Sequence, residues 1–409
     1  MSLKIGPLKE AYTFGGHLSE CFPHIFLEQV REQLPFFQFS SEEINMGLAL
    51  KASMKSVGIT SPNPAVGCVI KEGEKLLSVG HTETYGQRHA ERVALEQLSA
   101  EQLNQSKKDL YVTLEPCAHQ GQQPSCADML SHFSWRNISI ALEDVNPLVQ
   151  GKGIQKILPQ ASALNVGVLN HECLAWHSPF FTFQKLKRPF FALKWAQDSH
   201  GSLAREDGTS KWITGPLARA YGHWLRAKYD AVVVGANTCL LDQPQLTARE
   251  VPDFVHHQPL RIIVDLRDRL SQVPPRQLNF LMEASAPWIV LQPKKKEFVT
   301  YSHVHFFETS STSLKDIFLE PSFLKLCAQL RFGRPLQSFY IEGGAKLLKL
   351  FLNEGLVDLI HVMQSEKIEL GTTSYQIPSS LWSSWRRLVE IRLGDDVLVE
   401  AIPNNSIFS

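Results

Sequence analysis

Residues 89–98 (HAERVALEQL) and 109–126 (DLYVTLEPCAHQGQQPSC) decide how the first part of this chain folds. His89-Ala90-Glu91 opens a stretch that reads as a helix, 109–114 reads as a strand, and 125–132 as the next helix. Pro116-Cys117 then stands at the turn into a helix, whose N-terminal dipole favours a thiolate. One imidazole and two thiolates, His89, Cys117 and Cys126, form a tetrahedral donor set for Zn²⁺ that leaves a fourth position for water. Glu91 is two residues from His89 and is not a ligand, so it is free to take a proton from that water and pass it to a leaving amine. Zinc lowers the pKa of its water towards about 7, which makes hydroxide available near neutral pH. Zinc deaminases carry a Cys-x-x-Cys pair. Here the two cysteines are nine residues apart, with His119–Pro124 inserted between them. Two unrelated buried cysteines and a surface histidine are the plain alternative. The order of the motifs, and their fit to helix and turn, argue against it.

Working outward, Ser40 and Glu43 have the spacing of a capping box. Met46, Leu50 and Met54 follow at i, i+4, i+8, which predicts an amphipathic helix ending near Gly58. Strands over 65–70 and 75–79 form a hairpin turning at Glu72-Gly73, and 137–142 is a further strand. This alternation predicts a largely parallel sheet between helices. Residues 1–39 read as an extension with no chemistry of their own, and 173–188 as an aperiodic connection. A second alternating set begins at Phe190, with strands over 190–195, 231–235, 261–265, 288–292, 338–341 and 359–363. Helices are predicted over 216–227, 314–330 and 345–353, and a closing hairpin over 387–402 turns at Gly394-Asp395. Lys294–Lys296 is a short solvated basic run.

The 409 residues suit two domains, expected over 40–175 and 188–405 behind the extension at 1–39. Forty-one basic residues balance 41 acidic ones, which gives no electrostatic footprint for nucleic acid or an anionic membrane. A hydrophobic fraction of 44% predicts a sizeable core, and no stretch approaches the roughly 18 apolar residues of a membrane span. Seven scattered cysteines do not make a disulfide framework, and with no signal peptide the expected location is cytoplasmic.

Three motifs resemble the deaminase half of the bifunctional riboflavin-biosynthesis enzymes. They are Thr60-Ser61-Pro62-Asn63-Pro64-x-Val66-Gly67, His89-Ala90-Glu91, and Thr113-Leu114-Glu115-Pro116-Cys117-x-His119-x-Gly121-x-x-Pro124-x-Cys126. Asp144-x-Asn146-Pro147-x-Val149-x-Gly151-x-Gly153 continues the likeness, with Val145 where the family usually has Pro and Thr82 where it often has His. The resemblance implies a cytidine-deaminase-like three-layer α/β/α domain. It implies His89, Cys117 and Cys126 on zinc, Glu91 as proton shuttle and Asn63 in the substrate pocket. Read alone, Asn63 equally suits a turn between two prolines.

The second block follows the reductase half of the same family, whose fold is similar to dihydrofolate reductase. The likeness runs through Phe191-Ala192-Leu193-Lys194-Trp195-Ala196, Ser210-x-Trp212-Ile213-Thr214, Leu225-Arg226-Ala227, Asp230-Ala231, and Thr238-x-Leu240-x-Asp242-x-Pro244-x-Leu246-Thr247-x-Arg249. Pro259-Leu260-Arg261, Glu342-Gly343-Gly344 and Val357-Asp358 complete it. By position, Ser210, Arg226, Leu246, Arg249 and Glu342 would bind substrate, and Ala196, Trp212, Thr238, Asp242 and Gly344 would contact NADPH. The Gly343-Gly344 turn alone would be a weak phosphate signal.

One departure stands out. Asp198-Ser199-His200-Gly201 replaces the usual Ser-x-Asp-Gly, so these two charges are expected either to disturb the cofactor contacts or to pair with one another. The activity implied is deamination of 2,5-diamino-6-(5-phosphoribosylamino)pyrimidin-4-one, then NADPH reduction of its ribosyl group to ribityl. The alternative is a deaminase whose reductase half only binds or dimerises. A nucleic-acid-editing deaminase fits the neutral charge poorly. The expected partners are a small-molecule substrate and, by resemblance, further copies of the chain.

Overall fold

A computed structural model describes residues 40–407, apart from 105–107, 120–123, 209–211, 250, 254, 256, 294–300, 372, 379 and 381–383. The extension over 1–39, most of the insertion between the cysteines, Ser210 and Lys294–Lys296 therefore lie outside the described residues. The chain divides between Lys187 and Arg188 into two units.

In the first unit Ser40 closes the expected capping box. Its hydroxyl accepts from the Glu43 N–H at 3.2 Å, and the Glu43 carboxylate accepts from the Ser40 N–H at 2.9 Å. The helix Ser41–Ser53 follows and buries Met46 and Leu50. It tightens into a 3₁₀ turn over Met54–Ser56, a little short of Gly58. This helix packs on β1 (Gly67–Glu72), which forms a hairpin with β2 (Lys75–His81) through Gly73 at φ 59°. Then come helices Ala90–Leu95 and Ala100–Asn104, β3 (Lys108–Val112), helix Cys126–Leu130, β4 (Trp135–Ile140), helix Lys152–Ile157 and β5 (Ala161–Val166).

The sheet order is β2-β1-β3-β4-β5. The expectation of a largely parallel sheet needs correcting, because β1 runs antiparallel to both β2 and β3. The β2–helix–β3 crossover is indeed parallel, but β1 is inserted between its two strands, and periodicity cannot announce an insertion. Every residue of β3 is buried, as a strand covered on both faces requires. The aperiodic connection is also corrected: Asn170–Leu186 is a 17-residue helix with Pro179 inside it. Its buried set, including Cys173, His177, Phe180, Phe181 and Thr182, is polar and apolar together, which hides the helical period. Position 175 falls within this helix.

The second unit contains β6 (Phe190–Gln197), β7 (Ala231–Gly235), β8 (Leu260–Val264), β9 (Trp288–Gln292), β10 (Val304–Glu308), β11 (Ser338–Glu342), β12 (Leu359–Ser365), β13 (Trp385–Leu393) and β14 (Asp396–Pro403). They form one sheet in the order β10-β9-β8-β7-β11-β6-β12-β14-β13. It is parallel from β10 to β12 and closes with the antiparallel β13–β14 hairpin, whose Gly394 has φ 69°. The expected helix over 314–330 is two, Leu314–Phe318 and Pro321–Leu330, because Pro321 can begin a helix but not continue one.

One face of this sheet is apolar. Phe191, Leu193, Ile262, Ile289, Phe339 and Ile341 alternate into a core where Phe318 meets Phe339 edge-on at 5.0 Å. The other face carries a polar row, in which Glu342 pairs with Lys194 and Lys194 with His361. The helix Pro216–Lys228 lies over that row, with Arg226 bonded to Glu342 and Tyr221 to Glu400. The carboxyl ends of β6, β7 and β11 share one edge, where ligands of parallel α/β sheets bind.

Candidate active sites

In the first unit the three expected ligands converge. His89 is the N-cap of Ala90–Leu95, and Cys126 begins its own helix behind Ser125, whose hydroxyl accepts from the Asp128 N–H at 3.1 Å. His89 Nδ1 lies 3.6 Å from Cys117 Sγ and 3.4 Å from Cys126 Sγ. All three donor atoms fall within 4.8 Å of one another. Bonds of about 2.3 Å to sulfur and about 2.0–2.1 Å to nitrogen would put tetrahedral N and S donors roughly 3.6 Å apart, so the group fits zinc.

The electrostatics agree. The Cys117 thiol is held down to about 4, first by the hydrogen bond from Cys126 and then by His89, against the cost of its burial. Glu91 lies buried in the first turn beside the triad, and burial raises its carboxyl above the ordinary range. A carboxyl raised in this way is better matched to both taking and giving a proton near neutral pH.

Glu115 explains why Leu-Glu-Pro-Cys and the later Gly-x-Gly belong together. Its buried carboxylate accepts from the backbone N–H groups of Asp144 at 3.1 Å, Gly151 at 3.0 Å and Ile154 at 3.1 Å. Gly153 packs so closely that a Cβ there would stand 2.0 Å from the Pro116 carbonyl oxygen. The turn bearing Cys117 is thereby fixed against the Lys152–Ile157 helix. Asn63 lies half-buried in a turn that its own N–H closes onto the Thr60 carbonyl at 2.8 Å, following a cis Ser61–Pro62 bond.

In the second unit Arg226, Leu246, Arg249 and Glu342 gather around one helix and one loop. Arg226 donates to Glu342 through Nε at 2.5 Å and Nη2 at 2.8 Å, and through Nη1 to the Thr247 carbonyl at 3.2 Å. Burial pushes the Glu342 carboxyl up, but Arg226 more than offsets this and holds it below its usual range. Arg249 Nη1 donates to Thr247 Oγ1 at 3.0 Å. Leu246 is 2% exposed, with φ 55°.

Two further side chains join this group without having been singled out as site residues. Lys194 is the register partner of Glu342, and burial lowers its pKa. His223 Nδ1 lies 3.3 Å from both Arg226 Nη1 and the Arg249 backbone nitrogen. The i, i+3 spacing of His223 and Arg226 on one helix was the signal available for the histidine.

Thr238 and Gly344 are also brought together, since a Cβ on Gly344 would lie 3.9 Å from Thr238 Oγ1. Gly344 caps the Ala345–Asn353 helix, and Asp242 ends the Ala236–Asp242 helix one turn beyond Thr238. Ala196 lies two residues past Lys194 on β6, so both share a face. Trp212 is 68% exposed, not a core aromatic, with the Arg219 guanidinium 4.6 Å from its ring centre.

The departure at 198–201 takes a form between the two expected. Asp198 is fully buried and turned into its own loop. Its carboxylate accepts from the N–H groups of His200 and Ser202 at 2.9 Å each, and of Leu370 at 2.8 Å. His200 is exposed, and its Nδ1 is 4.0 Å from that carboxylate. The aspartate pairs chiefly with backbone.

Residues 40–142 match the cytidine and deoxycytidylate deaminase zinc-binding region, and residues 189–375 match the RibD C-terminal domain. The riboflavin biosynthesis protein RibD of Aquifex aeolicus is 37% identical over 326 residues, which cover 79% of this chain and 86% of that protein. RibD of Bacillus amyloliquefaciens is 31% identical, covering 89% of this chain and 97% of its own. The solved structure of a diaminohydroxyphosphoribosylaminopyrimidine deaminase/5-amino-6-(5-phosphoribosylamino)uracil reductase from Thermotoga maritima superposes with a TM-score of 0.72 at 31% identity. It covers 88% of this chain and 98% of that one. No helix among the described residues is long and apolar enough to cross a membrane.

Proposed function

The chain belongs to the RibD family of riboflavin biosynthesis proteins, with a zinc deaminase unit followed by a reductase unit, and from that premise we propose how its residues divide two consecutive reactions. The substrate of the first is 2,5-diamino-6-(5-phosphoribosylamino)pyrimidin-4-one, to which water is added and from which ammonia leaves. His89, Cys117 and Cys126 hold the zinc, which when bound supplies a water acidic enough to ionise near neutral pH. Glu91 receives that water's proton and returns it to the departing amine, and Asn63 reads the pyrimidine edge, where an amide both donates and accepts. The observation that carries the reading is His89 Nδ1 at 3.4 and 3.6 Å from two sulfurs, with a buried carboxyl in the next turn.

In the second reaction the ribosyl ring opens to a ribityl chain, with a hydride from NADPH and a proton from the medium. Arg249 and Arg226 face the sugar phosphate, Ser210, Leu246 and Glu342 complete the substrate site, and Ala196, Trp212, Thr238, Asp242 and Gly344 hold the cofactor. The reductase is an active one in this reading. The buried, backbone-bonded Asp198 gives no support to the deaminase-only alternative. The enzyme works in the cytoplasm as a homo-oligomer.

Ammonia release and NADPH oxidation, followed separately on the zinc-loaded protein, test both halves. Glu91→Gln is expected to slow ammonia release by about 10²–10⁴-fold while leaving turnover of the deaminated ribotide unchanged. Ammonia release at the wild-type rate would sink the assignment.

A further inference from the structure

The loop 243–249, which in the reading above contributes Leu246 and Arg249 to the reductase substrate site, holds an unfavourable backbone. Gln243 has φ 46° and Leu246 φ 55°, two left-handed residues within four positions, and neither is glycine. L side chains enter that region only when surrounding structure holds them there. One restraint belongs to the cluster already described, where the Thr247 carbonyl accepts from Arg226 Nη1 at 3.2 Å. A second comes from the opposite direction and from a residue given no role so far.

Arg261 lies on β8 with 0% exposure, its guanidinium 4.5 Å from the ring centre of Trp288, its register partner on β9. Its Nη1 donates to the Gln245 carbonyl at 3.3 Å, and its Nη2 to the carbonyls of Glu283, at 3.4 Å, and Ala286. An apolar side chain would fill a buried strand position without the desolvation cost of a cation. The guanidinium has the Glu283 carboxylate 3.6 Å from Nη1, and its planar, many-donor form also bridges two loops through their carbonyls. Alternate carbonyls of the substrate loop, Gln245 and Thr247, are thus tied to two different arginines. Leu246, with its left-handed backbone, is pinned between them.

We propose that Arg261 is a positioning residue of the reductase, one that never touches substrate but fixes the 245–249 backbone so that Leu246 and Arg249 meet the sugar phosphate. This rests on the assignment of that loop to the substrate. The consequence is selective, because cofactor contacts and deamination do not depend on the Gln245 carbonyl.

The test compares wild type, Arg261→Met and Arg261→Lys in the full, zinc-loaded chain. Arg261→Met is expected to raise KM for the deaminated ribotide at least about tenfold. NADPH affinity and ammonia release should stay within about twofold of wild type, and Arg261→Lys, which keeps one donor group, should recover part of the loss. Amide hydrogen exchange over 245–249 should quicken in the Met variant more than over β6 or β11. An unchanged KM with unchanged exchange overturns the proposal. So does a uniform loss in which NADPH affinity, kcat and the reductase melting temperature fall together. Wild-type turnover tests the assignment of the reaction by itself, and if it fails, the exchange pattern still decides whether Arg261 holds the loop.

Discussion

His223 Nδ1 lies 3.0 Å from the Thr247 carbonyl oxygen and 3.3 Å from both Arg226 Nη1 and the Arg249 backbone nitrogen. Burial first, then the Arg226 charge, outweigh the Thr247 carbonyl and hold the His223 pKa down to about 4 from an ordinary 6.5. The sign follows from linkage. Above about pH 6.5 the folded and unfolded chains both carry a neutral imidazole, and His223 adds no pH dependence. As the pH falls from there towards 4, the unfolded chain takes up a proton that the folded one refuses, so stability drains across that window and levels off below it. Urea unfolding of the second unit should therefore lose less stability between pH 6.5 and 4 in His223→Gln than in wild type. Identical slopes for the two proteins would place the origin of any acid sensitivity elsewhere.

Among the elements, the turn that carries Cys117 and the Lys152–Ile157 helix are held at a distance only glycine permits. A methyl group at residue 153 would meet the Pro116 carbonyl at 2.0 Å, a backbone atom that cannot swing aside as a side-chain tip could. Gly153→Ala should push the Cys117 turn off its Glu115 anchor and lower zinc content and ammonia release together, with NADPH oxidation preserved. Zinc analysis of the purified variant at wild-type stoichiometry would refute this. Elements of this kind were legible in part. His89-Ala90-Glu91 and Cys117 could be read because chemistry restricts which residues hold a metal, and Ser40 with Glu43 because a cap is a local hydrogen-bond pattern. The Asn170–Leu186 helix was not legible, since its buried side mixes His177 and Thr182 with Phe180 and Phe181 and contains Pro179. The insertion of β1 between β2 and β3 was hidden for another reason: strand order is a long-range choice that no local period encodes. His223 was not singled out, and Arg261 was matched without a role, because their roles are read from what their nitrogens reach, Thr247 and Gln245, many residues away.

At the scale of the whole molecule, each unit has its own sheet, and the two reactions draw on different ligands, one metal and one dinucleotide. The zinc donors all belong to the first unit, where His89 and the two cysteines come from three separate segments. Drawing those segments together without metal leaves two sulfurs and an imidazole in contact, so metal binding contributes directly to that unit's folding. A ligand that binds only the folded form stabilises it by about 4 kcal/mol at a thousandfold excess over its Kd. Chelation should therefore lower the melting transition of the first unit by several degrees, and restored zinc should reverse the shift. NADPH should raise the transition of the second unit and leave the first where it was. Calorimetry with chelator, zinc and NADPH added in turn separates these effects. If chelation and NADPH each displaced a single common transition, the two units would fold as one cooperative body, and loss of zinc would then cost the reductase as much as the deaminase.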